Sequence, residues 1–344
     1  MHERTFEIRA ITGNPQQSLY AGKRREFRVT CSARRATAKG GAAEGMAVER
    51  TQARKRTGTA ARQESLLACA LIAPSMLVMG LVIVYPVLSS IKMGFSDIPL
   101  DPAAPVEFVG LAHYAEIVKD PEFWMALGRS LVFTAATVAG STLLGLAVAI
   151  LLNRSFAGRG IARGIVLMPY VAPVISLVFA WQYMFHPVYG FVNHWLVDVL
   201  PVFPGPRDWV ESPQFAMPMV IIFDIWRYFP YAFLMILAKL QAIPGTLYEA
   251  AEVDGAGAWA KFRYITLPEL SFVLGAVVVL RWIWNFNKFD DVWLLSRSVI
   301  TVTVYTYLRA FQTFNLGQAA AISGLLVVGL VAFVSFYVRK VLRW

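Results

Sequence analysis

Asp224 and Arg227 stand three residues apart inside an apolar run, and Arg281 interrupts a second run among Trp282, Trp284, Asn285 and Asn287. At a spacing of i, i+3, Asp224 and Arg227 can pair on one face of a helix. Charges and amides inside such runs face a cavity or a partner helix rather than lipid. Two chemistries fit. One is a polar clamp between helices, with Arg281 reaching toward a membrane interface. The other is a path for a polar solute, in which rings such as Tyr228 and Trp284 stack on sugars while Asn285 and Asn287 bond hydroxyls. Gln182 and Tyr183, after Trp181, suit either a path or an interface.

A second constellation is the stretch YEAAEVDGAGAWAKFRYITLPE, residues 248–269. Thr246 followed three residues later by Glu249 reads as a capping box. Leu247 to Val253 is good helix sequence, and Gly255 can end that helix in a left-handed conformation. A second short helix through Trp259 and Phe262 would lead to Leu267-Pro268. Ala250, Ala251 and Ala256 are small enough for a partner surface to approach closely. Glu249 either caps its own helix or reaches a partner. A connecting loop of about thirty residues with its own secondary structure is more often functional than not.

No catalytic set accompanies these residues. The sequence lacks a GxxxxGK phosphate loop, HExxH, CxxC and GxSxG. Cys31 and Cys69 lie far apart, so neither a disulfide framework nor a metal site is expected. Energised transport by this chain would need its nucleotide chemistry from another.

The elements that must position these residues are apolar. The chain has 344 residues, 57% hydrophobic and 16% charged, with a mean hydropathy of +0.54. Soluble domains carry roughly 25% charged residues, so lipid is the expected solvent. A bilayer core of about 30 Å needs about 20 apolar helical residues. Six segments qualify: between Glu64 and Lys92, between Arg129 and Arg154, 164–185, 216–237, 270–287, and a last one ending before Arg339. Backbone groups in hydrocarbon must bond internally, so the fold class is an all-α polytopic membrane protein of six transmembrane helices.

Cations set the orientation. Arg50, Arg54, Lys55, Arg56 and Arg62 share a side with Arg154, Arg159 and Arg163, with Lys239, Lys261 and Arg263, and with Arg339, Lys340 and Arg343. The opposite side opens with an acidic loop containing Asp97, Asp101, Glu107, Glu116, Asp120 and Glu122. Both termini and the Glu249 loop therefore fall in the cytoplasm. On the other side, residues 186–215 suit interfacial helices and turns, and Phe123-Trp124 suits an aromatic belt. Residues 1–65 carry a net charge of +8, while the remaining 279 carry only +2. Residues 1–63 read as a basic, disordered cytoplasmic tail rather than a signal peptide or a nucleic-acid-binding arm. Met46 begins a second basic start, so residues 1–45 read as dispensable or as an over-extended start.

Glu249-Ala250-Ala251, then Gly255, Ile265 and Leu267-Pro268 at their spacing resemble the EAA signature of binding-protein-dependent ABC importer permeases. Asp254, Gly255, Ala256 and Phe262 match its sugar-importer version. Residues 109–124, 167–196 and 286–293 also resemble the first permease of maltose-type uptake systems, and the resemblance covers about residues 64–344. One departure follows Ser296: such permeases carry a Gly-rich insert there, whereas Arg297-Ser298-Val299-Ile300-Thr301 comes directly here.

The resemblance implies a coupling loop at 239–268 between spans four and five. Its Glu249 helix would sit in a groove of an ATPase subunit, with Ala250, Ala251, Asp254, Gly255, Ala256, Ile265, Leu267 and Pro268 shaping it. Partners would be a second homologous permease, two ABC ATPases and an extracytoplasmic solute-binding protein. ATP and Mg²⁺ would be bound by the ATPase and no cofactor by this chain, which would be a multi-pass transport subunit of a bacterial inner membrane and not an enzyme. The substrate implied is a sugar or polyol, with a glycerol-phosphate-type compound as the alternative. From a different class, an ion-coupled secondary transporter would use Asp224 or Arg281, although the single long helical loop does not fit inverted repeats with broken midplane helices. A membrane enzyme lacks its catalytic set.

Overall fold

The computed structural model describes residues 59–101 and 103–340. The expected tail therefore lies largely outside the described residues, and helix begins at Thr59. Contacts divide the chain between Val84 and Tyr85. The first unit contributes helix α1 (Thr59–Met79), continued by a π-helical turn at Gly80–Val84. Its Leu66, Leu71, Leu77 and Val82 are exposed, as suits an apolar solvent.

The second unit opens with α2 (Tyr85–Gly94) and a two-stranded antiparallel ribbon, Ser96–Asp97 with Glu107–Phe108. Helices α3 (Ala112–Lys119), α4 (Pro121–Asn153), α5 (Arg159–Val171) and α6 (Val174–Met184) follow. After a connecting segment with a short helical stretch at 191–199 come α7 (Ala216–Ala242), α8 (Gly245–Val253), α9 (Ala258–Lys261) and α10 (Leu267–Phe286). The chain ends with α11 (Asp290–Leu295), α12 (Val302–Phe311) and α13 (Leu316–Lys340).

Among the described residues five helices are long and apolar enough to cross a membrane: Ser65–Gly94, Pro121–Asn153, Ala216–Ala242, Ala258–Phe286 and Leu316–Lys340. The third segment departs from the expected single span. It is two helices, α5 and α6, bent by 93°. The cause is local: Pro173 offers no amide hydrogen, and Ala172 before it is extended with ψ 144°. Hydropathy sums are blind to such a break.

Helices α4 and α7 form the most extensive pairing. They come together at Gly145, where a Cβ would lie 2.7 Å from the Ala232 Cβ and 2.8 Å from the Phe233 amide nitrogen. With no hydrophobic drive between helices in lipid, such small-residue contacts let dispersion hold the pair. Below this crossing, Leu152, Leu237, Leu240, Ile243 and Leu270 form one apolar cluster. Above it, Phe133, Val220, Phe223, Val292 and Leu295 form another.

The segment 186–215 is ordered by polar hubs rather than by long helices. The buried Asn193 amide donates to the carbonyls of His186, Pro187 and Arg207 and accepts from the Arg207 amide and the Trp209 indole. Glu211 organises the turn after Ser296: its carboxylate accepts from the Arg297 and Ser298 amides and from the Ser298 hydroxyl. One acidic side chain thus closes the turn that lacks the Gly-rich insert. Of Phe123-Trp124, only Trp124 is exposed; Phe123 is buried beside Ile117 and Ile322.

Candidate functional site

Two sites emerge, one inside the helix bundle and one in the loop between α7 and α10. The first is built on α7 and the end of α10, whose apolar faces bring Asp224 and Arg281 together at zero exposure. Arg281 Nη2 donates to Asp224 Oδ2 at 2.8 Å, and Lys288 Nζ donates to Asp224 Oδ1 at 2.7 Å and to Asp291 Oδ2 at 3.0 Å. Asn285 Nδ2 donates to Asp224 Oδ2 at 2.9 Å and to the Thr137 hydroxyl on α4. Burial alone would lower the Lys288 ammonium, but the Asp224 and Asp291 carboxylates outweigh it and hold its pKa above the usual value. The cation therefore stays charged.

This corrects the expected pairing of Asp224 with Arg227. Both oxygens of Asp224 are taken across the bundle by residues 57 and 64 positions away, and no Asp224–Arg227 bridge forms. Sequence proximity supplied the wrong partner, because a carboxylate in low dielectric gains more from two facing cations than from one neighbour on its own helix. Arg281 does not snorkel; it is fully buried. Three cations surround the Tyr228 ring, with Lys288 Nζ at 3.4 Å and the Arg281 and Arg227 guanidinium carbons at 4.4 and 5.2 Å.

Aromatic rings continue from this cluster. Tyr170 lies 6.1 Å from Tyr228 and 6.3 Å from Tyr231, and Tyr231 meets Trp284 edge-on at 5.1 Å. Trp284 keeps 46% of its surface exposed. Arg281 Nε and Nη1, Arg227 Nε and Nη1 and Asn285 Oδ1 are buried without a hydrogen-bond partner. An aromatic group flanked by unfilled donors and an acceptor has the chemistry of a site for a hydroxylated ligand.

Asn287 does not join this cluster. Its amide donates to the Ile283 carbonyl one turn back, and it lines a separate cavity of about 520 Å³ with Phe289, Thr303 and Tyr307. Gln182 and Tyr183 lie elsewhere too, with Gln182 donating to the Leu294 and Leu295 carbonyls. Thr137, Tyr170, Tyr231, Lys288 and Asp291 join the cluster without being expected from the sequence. A usable signal existed for two of them: Lys288 and Asp291 form an i, i+3 charge pair at the end of an apolar run.

The loop site is organised differently. The expected capping box is absent: α8 starts at Gly245 with the extended Pro244 in the cap position, and no side chain caps it. Thr246 is already inside the first turn, which leaves Glu249 exposed and free of a capping role. The other end matches a Schellman motif. Gly255 sits at φ +76°, its amide donates to Glu252 O at 3.0 Å, and the Ala256 amide donates to Ala251 O at 2.8 Å.

The expected short helix through Trp259 and Phe262 forms, and it runs without a break into the helix it leads to. Helix α9 passes through a π-helical turn, Phe262–Thr266, directly into Leu267-Pro268 and α10, giving one stretch from Ala258 to Phe286. Pro268, which has no amide hydrogen to donate, stands at the start of α10 directly after the π-helical turn. Ala251, Ala256, Ile265 and Leu267 are half-buried, whereas Glu249, Ala250, Asp254, Gly255 and Pro268 are exposed. Val253 is 88% exposed, and Trp259 and Tyr264 also face outward. Lys261 bonds Glu252 at 2.7 Å and holds that carboxyl below its usual pKa, while Lys239 bonds Glu269. Tyr248 and Thr266 share a hydrogen bond of 2.9 Å between their hydroxyls.

The chain is similar to known proteins over most of its length. The family model described as binding-protein-dependent transport system inner membrane component matches residues 141–343. The inner membrane ABC transporter permease protein YcjO of Escherichia coli (strain K12) is 46% identical over 280 residues, covering 81% of this chain and 96% of the relative. The trehalose/maltose transport system permease protein MalF of Thermococcus litoralis is 35% identical over 282 residues, covering 80% of this chain and 94% of the relative. Among solved structures, a chain of a bacterial ABC transporter involved in the import of the acidic polysaccharide alginate superposes with a TM-score of 0.72 at 20% identity. That match covers 82% of this chain and 96% of the other, and the likeness is one of fold.

Proposed function

Because the chain belongs to the family of binding-protein-dependent transport system inner membrane components and is the permease component of an ABC importer, we propose that it carries a sugar or related polyol and is driven through its Glu249 loop. It is a transport subunit and not an enzyme. The ion-coupled reading of Asp224 and Arg281 gives way to this membership. The proposed assembly contains a second permease, two ATPases that bind ATP and Mg²⁺, and an extracytoplasmic binding protein. Its place is a bacterial inner membrane, with six crossings and both termini and the Glu249 loop in the cytoplasm.

The observation that carries the coupling role is the free state of Glu249. A glutamate spent on capping would have no carboxylate to offer, whereas this one is exposed beside Ala250 and the outward Val253. When two ATPases close on ATP, a helix seated in their groove moves. The permease follows only because the two states differ in their contacts with that groove. The substrate reading rests on Tyr170, Tyr228, Tyr231 and Trp284 beside the unfilled donors of Arg227 and Arg281. The test is Glu249→Lys in the purified complex, followed by binding-protein-stimulated ATP hydrolysis and retention of the ATPase. Stimulation is expected to be lost; unchanged stimulation with unchanged retention defeats the coupling role.

A further inference from the structure

Arg227 is the one cation of the bundle site without a counter-ion. It is 9% exposed and, among the described residues, makes no ion pair or hydrogen bond. Its guanidinium is held by the Tyr228 ring at 5.2 Å. The two carboxylates nearby are already engaged, Asp224 by Arg281 and Lys288, and Asp291 by Lys288. Three cations thus meet two anions, and the positive charge left over is on Arg227. Asp290, next to Asp291, is exposed and bridges none of the three. A buried charge persists in low dielectric only when something pairs with it.

Resting on the reading of this cluster as part of a sugar path, we infer that the transported sugar bears an anionic oxyacid group, a carboxylate, sulfonate or phosphate, and that Arg227 receives it. The chemistry favours an oxyanion over a neutral hydroxyl. A guanidinium presents paired donors in one plane that match two oxygens of an oxyacid, and it supplies the charge those oxygens need. A hydroxyl would fill one donor and leave the charge bare. The Tyr228 face fixes the plane of presentation, and Trp284 and Tyr231 supply the surface on which the ring of the same sugar stacks. Arg227 is thereby a specificity-determining residue rather than part of the helix clamp, which Asp224, Arg281, Lys288 and Asn285 complete without it.

The test uses the whole complex with its binding protein in proteoliposomes. The probes are labelled glucosides and galactosides, each in neutral, uronate, sulfonate and 6-phosphate forms. The unsubstituted complex is expected to take up one acidic form in preference to its neutral counterpart. Arg227→Gln should lower that acid-to-neutral ratio by about tenfold or more, and Arg227→Lys should lower it less. The ratio is internal to each preparation, so a smaller yield of folded variant leaves it readable. Preferred uptake of a neutral form, with a ratio that Arg227→Gln does not change, overturns the inference and leaves the sugar path standing. An unchanged ratio together with loss of the second permease during purification also overturns it, by assigning Arg227 to a partner carboxylate. Failure of the unsubstituted complex to take up any sugar in any form removes the carbohydrate reading itself, and this inference with it.

Discussion

The bundle site and the Glu249 loop are both rich in charge, yet they handle it in opposite ways. Around Asp224 the charges have left water, and each oxygen of the carboxylate is committed to a cation on another element. In the loop, Lys261–Glu252 and Lys239–Glu269 form at exposed carboxylates, while Glu249 stays exposed and unpaired. The same kind of bond therefore does different things. A pair in the bundle is structure, because removing either member strands the other in low dielectric. A pair in the loop shapes a surface, because water is available to replace it.

The sharpest way to break this contrast is to neutralise one carboxylate in each region. Asp224→Asn leaves Arg281 and Lys288 facing a neutral amide, and breaking a buried pair in this way costs about 3–5 kcal/mol. Little folded protein should survive solubilisation, read as the monodisperse fraction on size exclusion. Glu252→Gln removes the loop pair with Lys261 and should leave that fraction and the thermal midpoint unchanged. If the two variants behave alike, burial is not what separates the regions.

An intermediate case stands at the start of α4. Asp120 caps that helix through the Glu122 amide and accepts from Tyr305 and Arg309 of α12. Burial first, and then the hydrogen bond to Asp120, push the Tyr305 phenol from 10.0 up to about 12. For Asp120, burial acts upward, but the Tyr305 bond, the Glu122 amide and Arg309 outweigh it and hold the carboxyl below its usual value of 3.8. The signs differ accordingly. The Tyr305 contribution is complete below about pH 10 and is lost as pH rises toward about 12. The Asp120 contribution is complete at neutral pH and is lost as pH falls below 3.8. Unfolding midpoints of the unsubstituted chain and Tyr305→Phe should therefore differ at pH 8 and converge between pH 10 and 12. A constant difference across that window removes the Asp120–Tyr305 bond as its source.

What the sequence made legible follows from range. Apolar runs long enough to cross a bilayer were readable because length and composition are local sums. The left-handed Gly255 was readable because one residue type suits that conformation. The break at Ala172-Pro173 was not, since both arms are equally apolar. The capping box misled because Pro244, two residues before Thr246, fixes the helix start earlier. Asp224 misled because the sequence offers Arg227 three residues away and hides Lys288 at a distance of 64. Tyr170 and Tyr231 carry no signal beyond being aromatic; only the bend of α5 into α6 and the α7 crossing bring them to Tyr228 and Trp284.

The smallest expected effect on stability is also the one that joins the two regions. Tyr248 on α8 bonds Thr266, which lies in the π-helical turn leading into α10, and α10 carries Arg281 and Asn285 at its far end. Ile265 and Tyr248 also pack against the cluster of Leu240, Ile243 and Leu270. A displacement of α8 therefore reaches α10 through an apolar contact and one directional hydroxyl bond. Tyr248→Phe keeps the packing and deletes the bond, at about 0.5–1.5 kcal/mol. If the bond carries motion, assembly and melting should change little while more ATP is hydrolysed per sugar transported, and Thr266→Val should give the same phenotype without adding to it. If the pair of substitutions is additive, or the ratio of ATP to sugar is unchanged, α8 moves α10 by packing alone. The loop and the bundle site would then be linked by shape rather than by this bond.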